Sequence, residues 1–283
     1  MGNQSFQGQV AVVTGAGGRL CSVIARDLAK KGCRVVLLDR SSQALEPVSA
    51  GIQEDGGTCL CLACDVTDEP AMQSVADQVQ KTFGPCRFLI NGAGGNNNKA
   101  ITSITQFHQE ELSGHKPEGM TGLFDLDINV IESVIKTNTI GTFVPSRIFG
   151  KQMAAAGGGS ILNFASMNSY RPLTKVLAYA MSKAAVVNMT QWLATYLAPA
   201  KIRVNAIAPG FFINERSRMI LGTPEEGLTA RGTNVMNHTP AGRFGNPEDL
   251  LGCVAWLLDD QAASYVTGIT VPVDGGFLAH SGI

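Results

Sequence analysis

A single doubly wound α/β domain, with seven parallel strands and helices on both faces, is the fold this 283-residue sequence predicts. Three observations point to it. Short, β-rich apolar runs alternate with longer stretches of helical spacing along nearly the whole chain. The apolar runs are near-continuous rather than strictly alternating, as expected of strands that helices cover on both faces. Hydrophobic residues make up 45% of the chain and charged residues 16%, which supplies a buried core and argues against disorder.

The elements follow in order. Residues 10–14 form a valine-rich strand; 22–31 then carries Val23, Ile24 and Leu28 at helical spacing and stops at Gly32. A strand over 34–39 and a helix over 42–54 come next, then a strand over 58–63, a helix over 69–83 and a strand over 88–91. A helix is expected from about 127 to 153, a strand over 160–165, a long helix over 176–197 and a strand over 203–208. The tail holds a helix over 247–258 and a last strand over 270–273. No repeat or linker divides the chain, so residues 1–283 read as one domain. Two stretches break the rhythm, an insertion over 94–126 and a lid over 211–239; connections this long are expected to be functional.

Composition narrows the function. With 22 basic and 23 acidic side chains the formal net charge is −1, whereas neutralising nucleic-acid phosphates takes clustered Lys and Arg. No apolar run approaches the ~18 residues of a membrane span. The polar stretch 1–9 lacks the layout of an export signal, and Phe6 stands where an N-myristoylation motif starting at Gly2 wants Ser or Thr. A soluble cytoplasmic protein is expected. The 7 cysteines, an odd number without an export signal, argue against a disulfide framework. Cys59, Cys61 and Cys64 lack a second pair at zinc-site spacing, so they are read as core-filling residues of a buried strand, and no metal is expected.

Thr14-Gly-Ala-Gly-Gly-Arg-Leu-Cys21 joins the first strand to the first helix. Glycines at such a turn let backbone approach a diphosphate, and the helix N-terminus offers N–H groups and a partial positive charge. Strand, glycine turn and helix together are the signature of a Rossmann-type dinucleotide site, with Gly15, Gly17, Gly18, Arg19 and Leu20 as candidate contacts. Asp39 ends the second strand, 24 residues beyond Gly15, where a carboxylate accepts ribose hydroxyls and repels a 2′-phosphate, so NAD is the expected cofactor. Arg19 and the adjacent Arg40 keep NADP open: either could meet a 2′-phosphate, or simply pair with solvent or Asp39. Asp65, at the end of the third strand, suits an adenine amino group and equally suits a turn before the next helix.

The chemistry is carried further along. The strand 160–165 delivers Ser166 at its ligand edge, and Tyr179-Ala-Met-Ser-Lys183 follows 13 residues later on a helix. Four-residue spacing puts Tyr179 and Lys183 on one face. A nearby ammonium is expected to lower the phenol pKa from its ordinary ~10 toward neutrality, making a proton donor and acceptor for an alcohol or ketone oxygen. Alone, the pair reads as that of an ordinary exposed helix face, because Tyr-x-x-x-Lys spacing is common.

The ordered set resembles the short-chain dehydrogenase/reductase family over nearly the whole chain. The glycine turn Thr14–Cys21, Asn91-Gly-Ala-Gly94, Asn138, the trio Ser166, Tyr179 and Lys183, the Pro209-Gly210 turn and Val273-Asp-Gly-Gly-Phe277 all fall in the family's order. The resemblance implies that Tyr179 is general acid in reduction and general base in oxidation, and that Ser166 hydrogen-bonds the reacting oxygen. It implies that Lys183 binds the nicotinamide ribose and depresses the tyrosine pKa, and that Asn138 holds a relay water. It further implies cofactor contacts at Asp65 and Val66 for the adenine, and at Asn91, Ala93, Gly94, Pro209, Gly210, Phe212 and Asn214. Three departures stand out: Arg19 and Cys21 replace the second and third glycines, Gly92 replaces an asparagine, and Asn214 replaces a threonine. A β-carbon at Cys21 is expected to crowd the first helix against the sheet, and Arg19 to lie over the phosphate path.

The insertion bears on the substrate. Amides and an ammonium in Gly95-Asn-Asn-Asn-Lys99, followed by a polar stretch with His108, Glu110, Glu111 and His115, suit a polyhydroxylated anion better than a steroid or acyl chain. Asn96, Lys99, Asn168 and Arg171 are candidate substrate contacts, with Arg216 and Arg218 of the lid as possible carboxylate clamps. Amides at 96–98 equally suit a solvated turn, and the two histidines read as surface residues. The insertion with Phe124-Asp-Leu-Asp127 resembles the sugar-acid branch of the family, similar to D-mannonate (fructuronate) oxidoreductases and gluconate-type ketoreductases. A 3-oxoacyl thioester reductase, favoured by apolar Phe211-Phe212-Ile213 and Met219-Ile-Leu221, and a non-enzymatic nucleotide-binding regulator are the alternatives. The nearly all-apolar stretch 250–258 suits burial on more than one side, either in a subunit interface or as a helix tucked under the last strand, and the resemblance implies a homo-oligomer, a tetramer or dimer.

Overall fold

Seven strands pair in parallel into one sheet: β1 (Val10–Thr14), β2 (Arg34–Asp39), β3 (Thr58–Ala63), β4 (Phe88–Asn91), β5 (Gly159–Phe164), β6 (Ile202–Pro209) and β7 (Thr270–Val273). Their order is β3-β2-β1-β4-β5-β6-β7. This is the expected Rossmann-type sheet, in a computed structural model that describes residues 5–213 and 215–281, with the side chains of Glu215 and Arg216 left aside. Gly2 and Asn214, both singled out from the sequence, lie outside the described residues.

The strand order reverses between β1 and β4, so the loops after these two strands diverge and leave a crevice at their carboxyl ends. Register fixes what faces it. Thr14 pairs with Asn91, Asn91 with Asn163 and Asn163 with Ala206, so one row of the sheet lies directly beneath the crevice.

Alternation along the strands sends successive side chains to opposite faces. Val13, Leu37 and Leu162 pack with Ile24 and Leu28 of α1 (Arg19–Lys30) and with Val254 and Leu257 of α9 (Leu251–Leu258). Val12, Val36 and Ile161 pack on the other face with Val75 of α3 (Glu69–Phe83), Phe149 of α5 (Gly141–Ala155) and Leu193 of α6 (Leu177–Leu197). Side-chain caps start several of the helices. Ser41 accepts from the Ala44 N–H ahead of α2 (Ser42–Glu54), and Asp68 accepts from the Ala71 N–H ahead of α3. Arg203, which ends near α9, donates to the carbonyls of Leu257 and Leu258 and so closes that helix's C-terminus.

Four expectations are corrected. The first helix begins at Arg19, inside the glycine turn. β3 is an edge strand, so Cys61 is exposed and Cys59 only half-buried, while Cys64 beyond the strand is buried; all seven cysteines are free. The helix expected over 127–153 is α4 (Ile128–Ile135) and α5, joined by a wide helical turn over Lys136–Ile140 with one extra residue. The 247–258 helix opens as a tight turn, Pro247–Leu250, before α9.

The insertion is folded by its own polar groups. The buried Glu111 carboxylate accepts from the N–H groups of His108 (3.2 Å) and Leu123 (3.0 Å), and Lys116 pairs with Asp125. The lid contains α7 (Glu215–Leu221) and α8 (Ala230–Asn237) over a small core of Leu221, Val235 and Phe244. No helix among the described residues is long and apolar enough to cross a membrane.

Candidate active site

Chain continuity past β5 brings Ser166 to the crevice. Its backbone is extended, and its hydroxyl oxygen accepts from the Asn168 N–H at 3.2 Å, which starts the turn Met167–Ser169. Ser169 in turn donates to the Lys183 carbonyl at 2.8 Å, tying this turn to α6. One oxygen lone pair of Ser166 is thereby used, and its O–H is directed at the Tyr179 hydroxyl, so the two groups face the same point in the crevice.

On α6, Tyr179 and Lys183 share a face, and the Lys183 ammonium lies 5.8 Å from the tyrosine ring centroid. The Lys183 side chain is buried and its Nζ donates to the Phe164 carbonyl at 2.7 Å. Burial pushes Lys183 down to about 8, with a smaller opposing effect from Cys21. Burial pushes Tyr179 up, and the neighbouring Ser166 hydroxyl pulls it back. The direction is thus opposite to the drop expected from a neighbouring ammonium: burial outweighs the Ser166 hydrogen bond, and the Lys183 ammonium gives its own hydrogen bond to Phe164.

Asn138 sits in the wide turn between α4 and α5, fully buried. Its Nδ2 donates to the carbonyls of Gly95 (2.7 Å) and Val134 (2.9 Å), and its Oδ1 accepts from the Gly95 N–H (3.0 Å). The amide is thus committed at both ends to the loop after β4. These bonds position Gly94 and Gly95, and the Oδ1 oxygen keeps one further lone pair.

Two adjoining cavities run along the crevice. The first, of about 290 Å³, is lined by Gly15, Gly18, Arg19, Leu20, Asp39, Arg40, Asp65, Val66, Ala93 and Gly94 among the expected residues. The second, of about 300 Å³, is lined by Ser166, Tyr179, Lys183, Pro209, Gly210 and Phe212. Arg19, Leu20, Gly92, Gly94 and Phe164 border both.

The residues present fit a dinucleotide. Gly18, the residue ahead of α1, offers no side-chain cap and leaves the helix's first N–H groups open at the cavity. Gly15 has φ +65°, and a β-carbon there would lie 2.8 Å from the Ala93 Cα, so the turn must hug the end of β4. A β-carbon on Gly94 would press within 2.4 Å of Asn138 Oδ1. Asp39 accepts from the N–H groups of Gly17 (3.2 Å) and Ser41 (3.3 Å), which fixes its carboxylate at the first cavity. Asp65 accepts from the Thr67 N–H and hydroxyl, both at 2.8 Å, and these bonds hold its pKa below the ordinary carboxylate value. The helix cap beyond it is Asp68, so the turn and the cavity wall are both roles of Asp65.

Several expected contacts lie elsewhere. Asn91 turns under the sheet, where its Nδ2 donates to Ser146 (2.8 Å) and Asn163 (2.9 Å); it borders neither cavity. Gly17 packs on Ala44. Arg171 gives one Nη donor to the His280 carbonyl at 2.7 Å and Arg218 is paired with Glu226; neither lines the two cavities. Asn96 and Lys99 lie on the insertion and Asn168 is buried behind Ser166, none of them on the cavity walls. The walls also contain Cys64, Thr137 and Phe164, which carried no motif signal, and Cys21, whose departure from glycine did. No group of three or more His, Cys, Asp or Glu among the described residues is placed to hold a metal.

Comparison with known proteins agrees with this geometry. The family model for short chain dehydrogenase matches residues 9–220. The chain is 41% identical, over 99% of each chain, to UxuB of Bacillus subtilis strain 168, an uncharacterized oxidoreductase. It is 33% identical to an NAD-dependent glycerol dehydrogenase of Listeria innocua, over 95% of this chain and 93% of that one. A Haemophilus influenzae crystal structure with bound NAD, provisionally assigned as a D-mannonate oxidoreductase, superposes with a TM-score of 0.92 at 40% identity, covering 99% of each chain. The chain belongs to the short chain dehydrogenase family and is a nicotinamide-dependent oxidoreductase.

Proposed function

We propose that the protein transfers a hydride between NAD and the ketone or secondary alcohol of a sugar acid of the D-mannonate/fructuronate kind, with Tyr179 as acid and base. The observation that carries this reading is the convergence of Ser166, Tyr179 and Lys183 on one cavity that adjoins the Asp39 cleft. Bound nicotinamide supplies the hydride acceptor or donor. In the reducing direction the Tyr179 hydroxyl gives its proton to the substrate oxygen, while the Ser166 hydroxyl stabilises the negative charge developing on that oxygen. The Lys183 ammonium, buried beside the ring, favours the tyrosinate left behind. Asp39 in the adenosine-side cavity favours NAD over NADP by like-charge repulsion.

The sugar-acid assignment is supported by the likeness to the Haemophilus structure and by the polar insertion. Lys99 is exposed, with no ion-pair partner among the described residues, and is our candidate for the substrate carboxylate. Asn168 stands off the cavity walls: its N–H donates to Ser166 and its Oδ1 accepts from the Leu173 N–H at 2.9 Å, so its part is to hold the turn that carries Ser166. The lid residues Phe211, Ile213 and Leu221 pack into the lid's own core, so these side chains offer little lining to an acyl chain. For assembly we propose a homo-oligomer built through α6, whose outer face exposes Leu177, Met181, Trp192 and Tyr196, the last two stacked at 4.8 Å.

A screen of fructuronate, 5-ketogluconate and acetoacetyl thioesters with NADH and NADPH, followed by nicotinamide absorbance, tests the assignment. Turnover of fructuronate with NADH is expected; preference for a thioester overturns it.

A further inference from the structure

We propose that Arg19 is a side-chain clamp for the cofactor diphosphate, and that choice at the 2′ position falls to Asp39 and Arg40 instead. The inference rests on the reading of the crevice as a nicotinamide dinucleotide site and deepens it.

Five residues border both cavities, and among them Arg19 carries the only charge. Asp39, Arg40 and Asp65 line the first cavity alone, and Lys183 lines the second alone. A molecule spanning both, with adenosine at Asp39 and nicotinamide at Tyr179, carries its two phosphates between them. Arg19 is therefore at the neck, away from where a 2′-phosphate on the adenosine would lie.

Two features of the neck favour an anion independently. α1 is 12 residues long, has no side-chain cap and has no acidic residue in its first turn, so its N–H groups and dipole face the neck uncompensated. Arg19 is the first residue of that helix and is exposed, and its guanidinium makes no ion pair or hydrogen bond among the described residues. Three other surface arginines are engaged, Arg147 with Glu69, Arg218 with Glu226 and Arg243 with Asp249, whereas Arg19, like Arg40 on the first cavity, forms no such pair among the described residues. A guanidinium adds two parallel donors to phosphate oxygens, which the open N–H groups alone do not supply.

The test is binding of ADP, AMP, adenosine, 2′-AMP, NADH and NADPH to wild type, Arg19→Ala, Arg19→Lys and Arg40→Gln by calorimetry, at low and high salt, with thermal melts to confirm folding. Arg19→Ala is expected to weaken ADP and NADH about ten- to a hundred-fold, the range of a charge-assisted phosphate contact. It should leave adenosine and the NADH/NADPH ratio unchanged and flatten the salt dependence of ADP binding. Arg19→Lys is expected to recover part of the loss, and Arg40→Gln to change only the ligands with a 2′-phosphate. Unchanged ADP affinity in a folded Arg19→Ala, an equal loss for adenosine, or a selective loss for 2′-AMP and NADPH overturns the clamp alone. Failure of the wild type to bind ADP and NADH overturns the dinucleotide reading with it.

Discussion

The Cys21 thiol occupies the space that a side chain at position 92 would need: a β-carbon on Gly92 would lie 2.1 Å from Cys21 Sγ. Two departures from the family pattern are therefore one exchange, in which bulk lost after β4 is regained on α1. This relieves the crowding a β-carbon at Cys21 was expected to cause: the residue is buried, and α1 still docks on the sheet through Ile24 and Leu28. The thiol stays protonated, pushed up to about 12 by burial.

Gly92→Ala should accordingly overpack this contact and cost about 1–3 kcal/mol of stability. Combining it with Cys21→Gly should recover most of the loss despite the ~1 kcal/mol cost of glycine in a helix. A double-mutant cycle by urea unfolding checks this; additive losses would show that the two positions do not share the space.

Lys183 ties catalysis to stability. Its pKa is pushed down to about 8 from 10.5 by burial, so the folded chain binds fewer protons than the unfolded chain between those values. Stability therefore rises with pH across that window, and the cost of the buried ammonium is fully present below it. Lys183→Met should gain stability at neutral pH by up to about 3 kcal/mol, less what the lost bond to Phe164 contributed, and the gain should shrink toward pH 10.5. Unfolding of both proteins across this range reads the difference directly.

Tyr179 is held in its protonated form by burial. Ketone reduction uses that form and alcohol oxidation uses the tyrosinate, so kcat/KM for oxidation should climb with pH through and above neutrality, while reduction does not. Parallel pH profiles in the two directions check the sign.

Lys175 joins the insertion to the strand–helix loop that leads to Tyr179. It is one of two non-glycine residues among those described with positive φ, at +76°. Its carbonyl accepts from the Thr102 N–H (3.1 Å), and its Nζ donates to the Ser103 carbonyl (2.6 Å). Lys175→Met should raise KM for the substrate about ten-fold, the worth of one charge-assisted bond, and leave NADH affinity unchanged. Steady-state kinetics beside NADH titration separates the two.

The strands, the helices and the Ser166, Tyr179 and Lys183 constellation were legible because each is written in local period or spacing. What was not legible depends on partners distant in the chain. Arg171 meets His280, which lies 109 residues away, and Asn91 meets Asn163, so a free guanidinium and a free amide could not be told from engaged ones. β3 reads as buried because its cysteines and leucines resemble core; that it is an edge strand follows from strand order, which no local pattern records. The wide turn holding Asn138 adds one residue within an unbroken helical pattern. Spacing placed Lys183 beside Tyr179 but could not weigh its charge against desolvation, which decides the tyrosine pKa.

Tyr179→Phe tests the central claim most directly, by single-turnover hydride transfer from bound NADH together with NADH affinity. The rate should fall about 10²- to 10⁴-fold, the worth of a positioned proton donor, with affinity for NADH unchanged. A variant that binds NADH and reduces the ketone at the wild-type rate would contradict the assignment of Tyr179 as the acid.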